Sequence, residues 1–237
     1  MATTEPPAKR RKLNFSDEYK VAVGVGATQK TYSVPKQILT KSSEFFQKAC
    51  NGKWRETRSK MIKLPEADTI TFETYLQLLY TGEVVTTDDA PPQVPDDVTE
   101  DEASRASRFR FYAAIIDVYL LADMLLDSRS KNKVMDYLID TTSVVPQFPG
   151  MAIIDLAYSR TLPSSKLRRL LVDRAVFIAE ANVGYWTDNL TKVPSQFPID
   201  LSMAFMKLAA GRRRPFNPKH LPRCTYHDHD DANPKCE

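Results

Sequence analysis

Four potential metal ligands lie close together near the end of the sequence, at Cys224, His227, His229 and Cys236, with the spacing C-x2-H-x-H-x6-C. Zinc prefers four thiolate or imidazole ligands in a tetrahedron, and two cysteines with two histidines form a known structural set. In an extended segment His227 and His229 project to the same side, because side chains alternate with a period of two. Asn233-Pro234 is a turn signal that can bring Cys236 back toward the others. The spacing therefore predicts one structural zinc ion that pins this segment to the fold.

Two other interpretations of the same segment stay open. The spacing differs from that of a classical zinc finger, and Asp228, Asp230 and Asp231 give the segment the composition of a solvated tail. A disulfide between Cys224 and Cys236 is the second alternative, although a reducing compartment disfavours it.

The position of the histidines also limits catalysis. No histidine precedes His220. A Ser/His/Asp or Cys/His apparatus needs an imidazole beside its nucleophile, so the preceding part of the chain cannot form one. Cys50 lies beside Phe45 and Phe46 on an apolar helical face, which favours a small core residue over a nucleophile. We therefore expect no enzyme.

A compact basic run lies near the start of the chain, within a polar, proline-bearing stretch. It comprises Lys9, Arg10, Arg11 and Lys12. Such a run is similar to a nuclear import signal, in which extended basic side chains enter an acidic groove. A merely solubilising segment is the alternative. The run predicts a nuclear protein, with an additional cytoplasmic pool left open.

A second basic run, 212–214, precedes Phe216. Arginines beside an aromatic ring could touch nucleic-acid phosphates and bases. A solvated segment, or the second half of an import signal, fits the same residues. The net charge of +3 is too small to indicate a surface that coats nucleic acid. Contact with nucleic acid is therefore expected to be absent or indirect.

Length and composition restrict the class of protein. The chain has 237 residues, of which 42% are hydrophobic, so it can bury a core as one or two domains. No apolar run approaches the ~20 residues that a membrane span needs, and no apolar segment follows the first basic run. Three cysteines, an odd number, argue against a disulfide-stapled secreted domain. We expect an intracellular protein without a signal peptide or a membrane span.

The most regular pattern lies in 32–83. It predicts the end of a strand, two short helices, a polar turn, a second strand and a capped helix. Asp68 is a favourable N-cap for that last helix, and Gly82 can end it in a left-handed conformation. Alternating valines in 19–34 predict a hairpin that precedes this stretch.

This pattern resembles the core of BTB/POZ domains. The matching positions are Lys36, Leu39, Ser43, Phe46, Trp54-Arg55-Glu56, Leu64, Phe72 and Leu79-Tyr80-Thr81-Gly82. The run IDVYLLAD at 116–123 resembles the fourth helix of the BTB proteins of filamentous fungi, and the similarity covers residues 16–140. The resemblance implies an α+β fold, a small mixed sheet flanked by helices, and here an all-α extension follows it.

The resemblance also implies protein partners. Trp54, Glu56 and Tyr80 match positions at which substrate adaptors contact a cullin scaffold of a ubiquitin ligase. The alternative is a nuclear scaffold or transcription cofactor that oligomerises through its BTB domain. Pro35 stands where the family has a histidine near an aspartate at the dimer interface. That departure counts against homodimerisation through the usual surface, while self-association by another surface stays open.

The predicted organisation follows from these patterns. Residues 1–15 form a disordered basic N-terminus, and 16–142 form the BTB/POZ domain, with an acidic disordered insertion at 86–104. A helix over 109–126 is apolar on two faces and is expected at the centre of a bundle. Residues 146–210 form a helical extension with three helices, the last opened by Pro198. Residues 211–237 form a basic tail that contains the cysteines and histidines.

Overall fold

The computed structural model describes residues 14–52, 55–86, 102–142, 150–179, 183–229 and 236, with the backbone alone for Arg55. The strands are β1 (Glu18–Val23), β2 (Lys30–Pro35) and β3 (Met61–Leu64). The helices before residue 100 are α1 (Lys36–Leu39), α2 (Glu44–Asn51), α3 (Arg55–Ser59) and α4 (Thr69–Thr81). The later helices are α5 (Glu102–Met124), α6 (Ser128–Thr142), α7 (Met151–Arg160), α8 (Lys166–Ile178), α9 (Val183–Asn189) and α10 (Gln196–Ala210). No described helix has the length and apolar character that crossing a bilayer requires.

The sheet is small and mixed, as predicted. β1 pairs with β2 as an antiparallel hairpin and with β3 in parallel, so the strand order is β2-β1-β3. Val21 and Val23 are fully buried, whereas Val25, which the alternation predicts on the same face, is 62% exposed. The strand ends before Val25 because Gly24 turns the chain at φ +80°, a conformation that glycine adopts without steric cost.

Local signals in the sequence form the helix ends of the first part. Asp68 accepts a hydrogen bond from the Thr71 N–H at 2.8 Å and caps α4, and Gly82 ends that helix at φ +80°. Ser43 accepts a hydrogen bond from the Phe46 N–H at 3.1 Å and caps α2. Both predicted caps of α4 are therefore confirmed.

The long helix α5 lies at the centre of the molecule. Its buried residues occupy both predicted faces and include Phe111, Ile115, Ile116 and Ala122. The helix begins at Glu102, seven residues before the predicted start at Phe109, so the proposed insertion at 86–104 is too long at its C-terminal end. An acidic residue in the first turn stabilises a helix through its dipole, and alanine and arginine propagate it. The acidic residues 87–101 lie outside the described residues.

The extension shares its core with the first part of the chain. Ile153 of α7 and Leu167, Leu170 and Leu171 of α8 belong to the same buried cluster as the sheet and α5. A second cluster joins α7 and α8 to α9 and α10, around Trp186 and other apolar residues. The extension is therefore packed against the preceding helices through a continuous apolar contact.

Two boundaries in the extension differ from the sequence prediction. Helix α9 was not predicted, and α10 begins at Gln196, two residues before Pro198. Proline is tolerated there because the first N–H groups of a helix have no partner within it. In α9 the buried Trp186 stacks on Phe197 with ring centres 5.8 Å apart. A tertiary contact of this kind stabilises a helix whose own residues are weak helix formers.

A buried carboxylate ties three separate segments together. Asp127 is fully buried and accepts hydrogen bonds from Ser42 Oγ at 2.9 Å and from Tyr75 Oη at 2.8 Å. It also accepts from the Ser130 N–H at 3.0 Å and from Ser130 Oγ at 2.7 Å, and so caps the start of α6. These contacts fix the loop between α1 and α2, the middle of α4 and the start of α6 relative to one another.

Replacing Asp127 with alanine should lower the free energy of unfolding by about 3 kcal/mol or more, since four donor groups of three residues lose a charged acceptor in the interior. Denaturant unfolding followed by circular dichroism measures this. Asp155→Ala is the matched control, because Asp155 is exposed on α7. We expect the control to change stability by no more than about 0.5 kcal/mol. Equal effects of the two substitutions would contradict the role given to Asp127.

Candidate functional site

The segment 217–229 is docked on the folded chain. The side chain of Asn132 on α6 donates to the Asp228 carbonyl at 2.8 Å and accepts from the Asp228 N–H at 2.8 Å. Lys131 adds an ion pair with the Asp228 carboxylate at 2.5 Å. A side-chain amide that satisfies both backbone groups of one residue holds that residue as a strand partner would. The alternative interpretation as a solvated tail is therefore wrong for 217–229.

Two further residues of the segment are fixed by charged partners. Arg223 donates to the Asp140 carboxylate of α6 at 2.6 Å. Tyr226 is 1% exposed and donates its hydroxyl to Asp173 of α8 at 2.9 Å. Burial raises the pKa of the Asp173 carboxyl, and the hydrogen bond from Tyr226 and the Arg169 guanidinium oppose that rise. The segment thus contacts both α6 and α8.

Three of the four predicted metal ligands come together at the end of this segment. One ligand atom from each of Cys224, His229 and Cys236 lies within 4.8 Å of the other two. Cys224 lies in a 3-10 turn (Arg223–Thr225), and the N–H of Cys236 donates to its Sγ at 3.1 Å. Both cysteines are free thiols.

His227, the fourth predicted ligand, lies beside this group. Its Nε2 is 3.0 Å from the Asp136 carboxylate of α6, and its Nδ1 is 2.9 Å from the Sγ of Cys236. His227 is buried, with 6% exposure. One ring nitrogen therefore faces the Asp136 carboxylate, while the other faces the Cys236 thiol.

One stripe of polar residues on α6 makes most of these contacts. Asn132, Asp136 and Asp140 are spaced four apart on α6, so they form one polar stripe along the helix. Each of them contacts the segment 217–229. Because α6 also carries many other polar residues, this stripe does not stand out in the sequence as a docking face.

The residues predicted to bind a partner lie in a different region. Trp54 lies outside the described residues. Glu56 is partly exposed in the first turn of α3 and, within the described chain, makes no ion pair or hydrogen bond through its carboxylate. Tyr80 near the end of α4 is 47% exposed, and partial burial together with the Glu18 carboxylate raises the pKa of its phenol.

Glu56 and Tyr80 lie on the two helices that precede and follow β3 in the chain. Helix α3 leads into β3, whose first residue, Met61, pairs with Lys20 of β1. The surface around Glu56 and Tyr80 is called the α3–α4 surface below.

Comparison with known proteins gives the family of the first part of the chain. The family model of the BTB/POZ domain matches residues 11–99. The chain carries a BTB/POZ domain. No curated protein matches the chain significantly. BTB/POZ domains are protein-interaction modules, so the α3–α4 surface belongs to a domain that binds proteins. The helical content that follows is consistent with the fungal type with its C-terminal helical extension.

Pro35 and Cys50 of the BTB/POZ domain both have structural positions. Pro35 is buried at the end of β2, where the next residue, Lys36, donates its N–H to the Asp17 carbonyl at 2.8 Å. Cys50 is 1% exposed, and burial raises the pKa of its thiol to about 11. A thiol with that pKa is protonated near neutral pH, which suits a core residue.

The basic runs differ in what the structure describes. Lys9, Arg10, Arg11 and Lys12 lie outside the described residues. Arg212, Arg213 and Arg214 are all exposed after α10, and Phe216 beside them is 54% exposed. The second run is therefore accessible to a partner.

Proposed function

We propose that this BTB/POZ protein is a substrate adaptor that docks on a cullin scaffold of a ubiquitin ligase through its α3–α4 surface. One observation carries the proposal. The Glu56 carboxylate is partly exposed and has no partner within the described chain, whereas Glu44 and Glu73 are engaged by lysines. An acidic side chain that is free in the isolated chain is available to a basic group of a partner.

The exposed ring of Tyr80 supports the same surface. Tyrosine is enriched among the residues that dominate binding energy, because its ring buries a large area and its hydroxyl keeps a hydrogen bond. The tripeptide Trp54-Arg55-Glu56, which resembles the contact motif of such adaptors, adds an aromatic residue next to Glu56 in sequence. The combination is an aromatic contact with an acidic rim.

Glu56→Lys should abolish co-purification of the cullin, because it places a like charge against the basic partner that we propose. Its effect on the free energy of unfolding should stay below about 1 kcal/mol, the usual size of a helix-dipole contribution. Quantitative co-purification from cell extract and a denaturant titration measure the two effects. Glu66→Lys is the matched control, since Glu66 is exposed after β3, at the opposite end of the sheet. Absence of a cullin from the wild-type protein would remove the proposal.

A second function is favoured by a different observation, the two basic runs. In this alternative the protein is a nuclear scaffold or transcription cofactor that associates with itself and with chromatin proteins. The exposed arginines 212–214 support a contact with an acidic partner or with phosphates. Comparison of co-purified proteins from nuclear and cytosolic extracts separates the two functions. A co-purified cullin supports the adaptor, whereas chromatin proteins without a cullin support the nuclear scaffold.

Deleting residues 1–12 should move the protein from the nucleus to the cytoplasm, because the deletion removes the proposed import signal. Fluorescence imaging of the full chain and of the deletion variant measures the distribution. Deletion of residues 1–8 is the control, since it keeps the run that begins at Lys9. An unchanged distribution in the longer deletion, also after replacement of arginines 212–214 by serine, would contradict nuclear import by these runs.

A further inference from the structure

We propose that Cys224, His227, His229 and Cys236 bind one structural zinc ion that clasps the C-terminal segment to α6. The proposed ligands lie close enough together to bind one ion. Zinc–sulfur and zinc–nitrogen bonds of about 2.3 Å and 2.0 Å place the ligand atoms of a tetrahedral site about 3.3–3.8 Å apart. The ligand atoms of Cys224, His229 and Cys236 lie within 4.8 Å of one another, so small rotations of the side chains reach that geometry.

The donors of these residues are the types that zinc prefers. Thiolates and imidazoles select zinc and other soft or borderline ions, whereas calcium and magnesium need oxygen ligands. Two thiolates neutralise the two charges of the ion, so a site of this composition carries no net charge. Cys224 and Cys236 supply those thiolates as free cysteines, and the Cys224 Sγ already hydrogen-bonds to the backbone of Cys236.

His227 has the surroundings of a metal-binding histidine. Metal-binding imidazoles usually donate their second N–H to a carboxylate, which fixes the tautomer and the ring orientation. Asp136 lies 3.0 Å from Nε2 of His227, which favours the tautomer that carries its proton on Nε2 and leaves the lone pair of Nδ1 for the ion. Nδ1 is already 2.9 Å from the Sγ of Cys236. His227 is therefore placed as the fourth ligand, with Asp136 as its positioning residue.

The chain that carries the ligands is held in place by α6. The Asn132 amide holds both backbone groups of Asp228, which lies between the two histidines. Arg223, next to Cys224, is tied to Asp140. The ligand-bearing chain is thus attached to α6 on both sides of His227, and this preorganisation lowers the entropy cost of binding an ion. Four protein ligands leave no position for a reactive water, so the role of the ion is structural.

Elemental analysis of the full chain, purified without a histidine tag from zinc-replete cells, tests the proposal. We expect one zinc ion per chain, and loss of that zinc in Cys224→Ser and in His229→Gln. His220→Gln is the matched control and should keep its zinc, because His220 is exposed and lies outside the cluster. Asp136→Asn should weaken zinc binding about 10–100-fold, the usual effect of removing the partner of a ligating histidine.

A second measurement keeps the proposal testable if a variant folds poorly. Zinc is removed from the wild-type chain with a chelator and then titrated back by calorimetry, and proteolysis of the C-terminal segment is followed before and after. We expect one binding event per chain and renewed protection of the segment. Wild-type protein without zinc that takes up none on titration would overturn the site. So would a mass lower by the two hydrogens that a Cys224–Cys236 disulfide loses, or zinc retained in both ligand variants.

Discussion

Asp127 places an anionic side chain in the interior, where its charge is tolerated only because donors from three segments surround it. Ser42 lies in the loop between α1 and α2, Tyr75 lies in α4, and Ser130 lies in the first turn of α6. Its contacts span sequence separations of 85 and 52 residues, so they form only when the sheet-bearing half meets the helical half. The direction of α6 follows from this junction.

The position of α6 decides what the C-terminal segment can do. Asn132, Asp136 and Asp140 stand along one side of that helix and contact Asp228, His227 and Arg223 in turn. On its other side the segment reaches α8 through Tyr226 and Asp173. The C-terminal segment therefore joins the last helix within the predicted limits of the BTB/POZ domain to the extension. Because these contacts hold the extension against the BTB/POZ domain, the extension would have a fixed orientation relative to a partner bound at the α3–α4 surface.

Local signals in the sequence predicted the parts of the fold that local interactions decide. Asp68 and Gly82 mark the two ends of α4. The Asp68 side chain caps the first turn, and the left-handed conformation of Gly82 ends the last turn. The two apolar faces of α5 indicated a buried helix for the same reason. Helix α9 escaped prediction because Trp186 acquires its partner, Phe197, from another helix. The docking of the C-terminal segment likewise depends on pairs that are about 90 residues apart in sequence, which no periodic pattern reveals.

The candidate sites also combine features that the sequence predicts with features that only the fold shows. The spacing of Cys224, His227, His229 and Cys236 predicted which donors meet, because they are close in sequence, but Asp136 was found only through the fold. Glu56 and Tyr80 were singled out by family resemblance, and the fold places them on the helices that precede and follow β3.

We expect the BTB/POZ domain, the extension and the C-terminal segment to unfold as one cooperative structure, because their buried residues share one core. Hydrogen exchange measured by mass spectrometry at increasing denaturant concentration tests it most directly, because it resolves the opening of separate segments. We expect the amides of β1 and of α8 to lose protection together, in a single opening with the full free energy of unfolding. Exchange of α8 through a separate opening at lower free energy, with β1 still protected, would contradict the claim.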